Sequence, residues 1–271
     1  ALLAVAAGLA AAVGHATEVR PPSEVIRPPD EAAALAARID WALARGPKAA
    51  QGKSFWVGYS IDRLMGERSH IGSFYGGRRN DLSIADILAG RKESTAASAE
   101  DVRGAAKAAL DEIDSKGRPE KKVLKELGFF FRFTSGAAPS LAEVHMSNLD
   151  LSFDFESAPL CWLGEAAEAQ SLDLVKAFYE RSRDGEAREA LVAAAGCHGT
   201  PALVVPFLAG VLNGDGPDDL RKDAAFWMGQ QNDAEGLKLL IQAARSDRSG
   251  EVREGAVFGI SQVELPGAVD T

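Results

Sequence analysis

The sequence predicts an α+β amino-terminal region followed by an all-α solenoid of helical hairpins. Three observations predict it. A pattern of 32 to 33 residues recurs from about residue 160 to the end of the chain, and periods of that size mark stacked helical pairs. Before it, 55–61 (FWVGYSI) and 129–133 (FFFRF) are aromatic and β-branched, the composition of strands. Around those runs, apolar residues fall at helical spacing. The regions expected are 1–16, a signal peptide; 17–50, a linker and helix; 51–159, a small β-containing capping region; and 160–271, the repeats.

Residues 1–13 are uncharged and apolar, and Gly14-His15-Ala16 places small residues at −3 and −1 for cleavage after Ala16. These are the later parts of a secretory signal, so a periplasmic or secreted protein is expected. A start at Ala1 and a repeat that breaks off after Leu265 lead to the expectation of a longer reading frame. The apolar run is shorter than the ~20 residues of a membrane span, and no other segment approaches that length.

Pro21-Pro22 and Pro28-Pro29 bracket an extended linker. Asp30 reads as the N-cap of a helix carrying Leu35, Ile39 and Leu43, which Gly46-Pro47 would end. The strand at 55–61 follows, with Trp56 and Tyr59 three apart and so on opposite faces, which leads us to expect one of them exposed. Residues 66–80 read as a loop, and Ser83 as the cap of a short helix stopped by Gly90. A solvated helix is expected within 99–113, and a further short one before Phe129. Val144 and Met146 alternate, as do Leu149, Leu151, Phe153 and Phe155 in a shifted register, so a bulge or turn falls near Ser147-Asn148.

The repeats carry the most information. Glu186-x-Arg188, Asp219-x-Arg221 and Glu251-x-Arg253 set three arginines 33 and 32 residues apart. After each, apolar or small residues run i, i+4, i+7, i+8, as in 187/191/194/195, 220/224/227/228 and 252/256/259/260. A second apolar helix follows, with Val204, Phe207, Leu208 and Val211, then Leu237, Leu240, Ile241 and Ala244; a third would begin at Pro266. Trp162-Leu163-Gly164 matches Trp227-Met228-Gly229 at an offset of 65, which reads as an earlier half-unit. Gly164, Gly196, Gly229 and Ser261 then form a ladder of small residues, each letting one helix approach the next.

These residues resemble HEAT repeats, specifically the short HEAT-like class first associated with phycobilin lyases. The acid, one apolar residue, then Arg, and the small residue ending the first helix carry the resemblance over about 160–271. It implies a solenoid used mainly as an interaction surface, and arginines that bridge neighbouring repeats rather than bind a ligand. An export signal would separate the protein from the substrates of such lyases.

Chemistry is sparse. The formal charge is −9, with 39 Asp and Glu against 30 Lys and Arg, which argues against phosphate-neutralising nucleic-acid binding. Residues 160–271 carry 18 acids against 10 Lys and Arg, so the charge lies on the repeats and points to a basic protein partner. Cys161 and Cys197 could bridge in an oxidising compartment or stay free. Cys197 and His198 supply two adjacent metal ligands where a zinc site needs three or four, and none of the four histidines is followed by Glu. Asp150, Asp154 and Glu156 do not have calcium-loop spacing. Gly58-Tyr59-Ser60-Ile61-Asp62 lacks the second Gly of a nucleophile elbow, and 72–79 is no Walker loop. Phe74, Tyr75, Arg78 and Arg79 are residue types enriched at interface hot spots, the alternative being a plain connector. No catalytic set, cofactor or metal is expected. The function expected is a protein–protein interaction scaffold, the alternative being an enzyme with its site in the amino-terminal region and the repeats as docking arm.

Overall fold

The computed structural model describes residues 19–72, 82–91, 121–136 and 138–265. The strands are β1 (Val25–Ile26), β2 (Ser54–Gly66), β3 (Lys122–Thr134), β4 (Ser140–Asn148) and β5 (Leu160–Glu165). They form one mixed sheet in the order β1-β5-β2-β3-β4. β5 lies parallel to both β1 and β2, whereas β2-β3 and β3-β4 are antiparallel. The helices are α1 (Leu35–Ala49), α2 (Ile84–Leu88), α3 (Glu168–Arg181), α4 (Gly185–Gly196), α5 (Pro201–Leu212), α6 (Asp218–Gln230), α7 (Ala234–Ser246) and α8 (Gly250–Ser261). The α+β class is thus as expected. No helix among the described residues is long and apolar enough to cross a membrane.

Both faces of β2 and β3 are covered, which is why their sequences run apolar without strict alternation. Phe55, Val57, Tyr59 and Ile61 face α1 and α3 with Phe129, Phe131 and Phe133. Trp56, Phe130, Leu160 and Trp162 face the other way, against α2, Leu149, Phe153 and Phe155. Trp56 and Tyr59 are therefore both buried, contrary to expectation, because a second small core waits beneath the sheet. Trp56 meets Phe153 edge-on at 5.1 Å, within the favoured range for aromatic pairs.

Several expected boundaries are corrected. α1 begins at Leu35, and Asp30 instead accepts from Ala32 N in the preceding turn. The helix continues through Gly46-Pro47 to Ala49. Gly46 is a packing residue, since a Cβ there would lie 2.2 Å from the Phe55 ring. Residues 122–128 are strand, not helix, because they pair with 60–66 of β2. The chain turns at Leu149-Asp150, as the shifted alternation implied, but Leu151 to Phe155 form no strand. The expected helix within 99–113 lies outside the described residues.

The largest correction concerns 160–165, read from sequence as the end of a helix and found as a strand between β1 and β2. Gly164 accordingly is no rung of a helical ladder. Its φ is +78°, a conformation that strains any residue bearing a Cβ, and it sits where the β2–β5 register shifts. The carbonyls on either side, Leu163 O and Glu165 O, both accept from Nη1 of the buried Arg38 on α1.

Helices α4 to α8 stand where the period placed them. α4 packs against β4, and α6 and α8 follow it side by side. A Cβ on Gly196 would lie 2.4 Å from the Trp227 ring, and one on Gly229 would lie 2.3 Å from Gly259 O. Those two small residues do set close approach between helices. Asp184, Asp233 and Ser249 cap α4, α7 and α8 through their side chains. Glu168 of α3 accepts from Gly199 N, Thr200 N and Thr200 Oγ1, which ties α3 to the start of α5.

Candidate functional site

α4, α6 and α8 share one outer face, and residues one repeat apart line up across it. Glu189, Lys222 and Glu254 occupy one row, and Ala193, Phe226 and Phe258 the next. Phe226 and Phe258 stack at 6.0 Å with 16° between ring planes. Phe258 remains 54% exposed and its neighbour Val257 58%, so the row ends in an open apolar step.

The same three helices carry six carboxylates: Glu186 and Glu189 on α4, Asp219 and Asp223 on α6, Glu251 and Glu254 on α8. Lys222 reaches Asp219 at 3.0 Å and Glu251 at 3.3 Å. Asp223 feels the imbalance. Partial burial pushes its carboxyl up to about 6, and the negative charges of Glu189 and Asp219 add to the shift against the opposing pull of Lys222. A carboxylate so placed is relieved by an incoming cation, and an exposed phenyl ring beside it suits the same guest. The acidity of this region was evident from composition. Composition does not show the aromatic pair; its signal in the sequence is the 32-residue interval between Phe226 and Phe258.

The three repeat arginines behave differently from one another. Arg221 is buried: Nε donates to Leu212 O at 2.8 Å, while the guanidinium meets Asp247 and, at 3.5 Å, Asp218. It joins the ends of α5 and α7, a bridging role of the kind expected. Arg253 is exposed and donates to Asp247 O at 2.8 Å. Arg188 lies over the Tyr179 ring at 4.2 Å.

A second polar cluster is sealed inside. Tyr59 Oη lies 2.9 Å from Ser171 Oγ, which lies 2.8 Å from His198 Nε2; all three residues are fully buried. His198 Nδ1 faces Ala194 O and Ala195 O at 3.0 and 3.1 Å. Two acceptors there require the proton on Nδ1, so Nε2 accepts from Ser171 and Tyr59 donates to Ser171. Burial drives the imidazole down to about 4 and holds the phenol well above its usual value. The chain of hydrogen bonds joins β2, α3 and the end of α4, and no substrate reaches it.

Cys161 and Cys197 are both buried free thiols, pushed by burial up to about 12 and about 11. Thiols so protonated are poor nucleophiles and ligands. No group of three or more His, Cys, Asp or Glu able to hold a metal occurs among the described residues. His145 stacks on Phe153 at 4.2 Å beneath the sheet, and burial lowers it to about 4. His70 is hydrogen-bonded to Asp150 at 3.1 Å on the surface. Phe74, Tyr75, Arg78 and Arg79 lie outside the described residues, as do residues 1–16, where a signal peptide is expected. No protein-family model matches the chain, and no curated protein matches it in sequence.

Proposed function

We propose that the protein is an exported interaction scaffold of HEAT-like type, periplasmic or secreted, with no catalytic activity of its own. In this reading α4 to α8 are helical hairpins stacked into a solenoid, the β-containing region covers its first apolar end, and the outer face of α4, α6 and α8 receives a basic protein partner. One observation carries it: the half-buried Phe226 stacks on the exposed Phe258, on adjacent helices that with α4 carry six carboxylates. Such a face offers opposite charge at its rim and an aromatic anchor within it, the usual division of labour at a protein interface.

Affinity capture from an envelope fraction, followed by mass spectrometry, tests it. The expected result is a reproducible basic partner, released by salt and lost with Phe258→Ser combined with Asp223→Asn. Recovery of no partner, or of one indifferent to those substitutions, overturns it.

A further inference from the structure

The turn after α5 differs from its counterpart one repeat later, and the difference leaves a guanidinium facing a cleft. After α7, Asp247 closes on Arg221, with the two side chains 7% and 3% exposed. After α5 the chain runs Asn213-Gly214-Asp215-Gly216, so an amide stands at the helix C-cap where Asp247 stands in the next repeat. The one carboxylate of that turn, Asp215, is fully exposed and pairs outward with Arg248 at 3.2 Å. Arg188 holds the position of Arg221 one repeat earlier, yet has no ion pair among the described residues. Its Nε is buried without a hydrogen-bond partner.

Around it opens a cleft of ≈ 530 Å³ between α3 and α5, walled by Tyr179, Phe207 and Val211, with Lys176 beside Arg188. Tyr179 and Phe207 meet edge-on at 5.2 Å, which leaves one aromatic face toward the guanidinium. Gly210 lines the mouth of the cleft: it is exposed, and a Cβ there would meet nothing within 4 Å. This volume suits a small ligand with one polar anchor.

We propose that this cleft binds a small monocarboxylic acid with an aromatic or branched apolar body. The carboxylate takes, on Arg188, the place that Asp247 takes on Arg221, accepting a charge-assisted hydrogen bond from a guanidinium Nη. Lys176 supplies a second positive charge, and the apolar body packs on Tyr179 and Phe207. Glu180 and Asp215 at the rim disfavour a second negative charge on the ligand. The cleft lies on the α3–α5 side, away from the acidic face of α4, α6 and α8, so the inference stands or falls independently of the partner proposed there.

Titration of the full chain with 4-phenylbutyrate, followed by calorimetry and by Tyr179 ring signals in NMR, tests the site. Saturable binding of one equivalent is expected, weakened about tenfold or more by Arg188→Gln. Gly210→Leu, which blocks the mouth of the cleft while removing a helical glycine, should abolish binding with the circular dichroism spectrum and melting temperature retained. Equal binding of 4-phenylbutyramide, or full binding by either variant, overturns the inference. So does the absence of saturable binding by aryl and branched-alkyl carboxylates up to about 10 mM. Tighter binding of a peptide ending in Phe than of the free acid would replace the small molecule with a chain terminus and overturn it too.

Discussion

Ser171 Oγ donates to Nε2 of His198 across 2.8 Å, at a depth where neither residue has any exposed surface. The consequence is a pH-dependent stability. His198 is held neutral down to about 4 when folded, against about 6.5 when unfolded. Below pH 6.5 the unfolded chain therefore binds a proton that the folded one refuses, and stability falls until the folded pKa is reached. A shift of this size corresponds to about 3 kcal/mol. Denaturant unfolding at pH 7.5, 6.0 and 4.5 should show the loss between the first and last values. His198→Gln should flatten the slope, leaving the share that belongs to His145.

Asp223 has the opposite sign. Its folded pKa lies near 6, above that of an unfolded aspartate, so the folded state loses stability as pH rises from about 4 to 6. Solvent screening at this half-buried site reduces the effect, and Asp223→Asn should stabilise by about 1 kcal/mol at pH 7.5. At pH 4 it should change little. Thermal melts at the two pH values check it.

Gly229→Ala should be costly, because the new methyl would enter within 2.3 Å of Gly259 O, and backbone cannot swing aside as a side chain can. A loss of about 2–3 kcal/mol is expected, the upper range for overpacking. Gly210→Ala is the matched control, since nothing lies within 4 Å of its Cβ. It should gain up to about 1 kcal/mol from helix propensity. Unfolding curves of the pair separate crowding from any general effect of replacing a helical glycine.

Asp247→Ala removes the carboxylate from a guanidinium that is only 3% exposed. Stranding that charge should cost about 3–5 kcal/mol, whereas Arg221→Met with Asp247→Leu should be far milder, because no buried charge remains. A double-mutant cycle by denaturant unfolding measures the difference.

The helices α4 to α8 were legible because each buries one stripe and the stripe recurs at a fixed interval. β5 was not. A short apolar run such as Leu160 to Leu163 fits a covered strand and a buried helix equally well, and its likeness to 227–229 drew it toward helix. Only the sheet partners, 135 and 104 residues away for Val25–Leu160 and Trp56–Leu160, decide the matter, and they are β1 and β2. The Tyr59–Ser171–His198 cluster was hidden for the same reason, since its members lie on three separate elements. The acidic face was half legible: its charge could be counted, but its aromatic row needed the repeat offset applied to exposed positions.

The interior place of β5 also bears on how the chain is made. Synthesis proceeds from the amino terminus, and domains tend to fold as their residues emerge. Here β2, β3 and β4 can pair early, yet β1 has no strand to join until 160–165 has left the ribosome. Until then β2 offers a bare edge, the sort of surface on which nascent chains stick to one another. The strand that fills the gap leads directly into α3, so closing the sheet and starting the helical array become a single event.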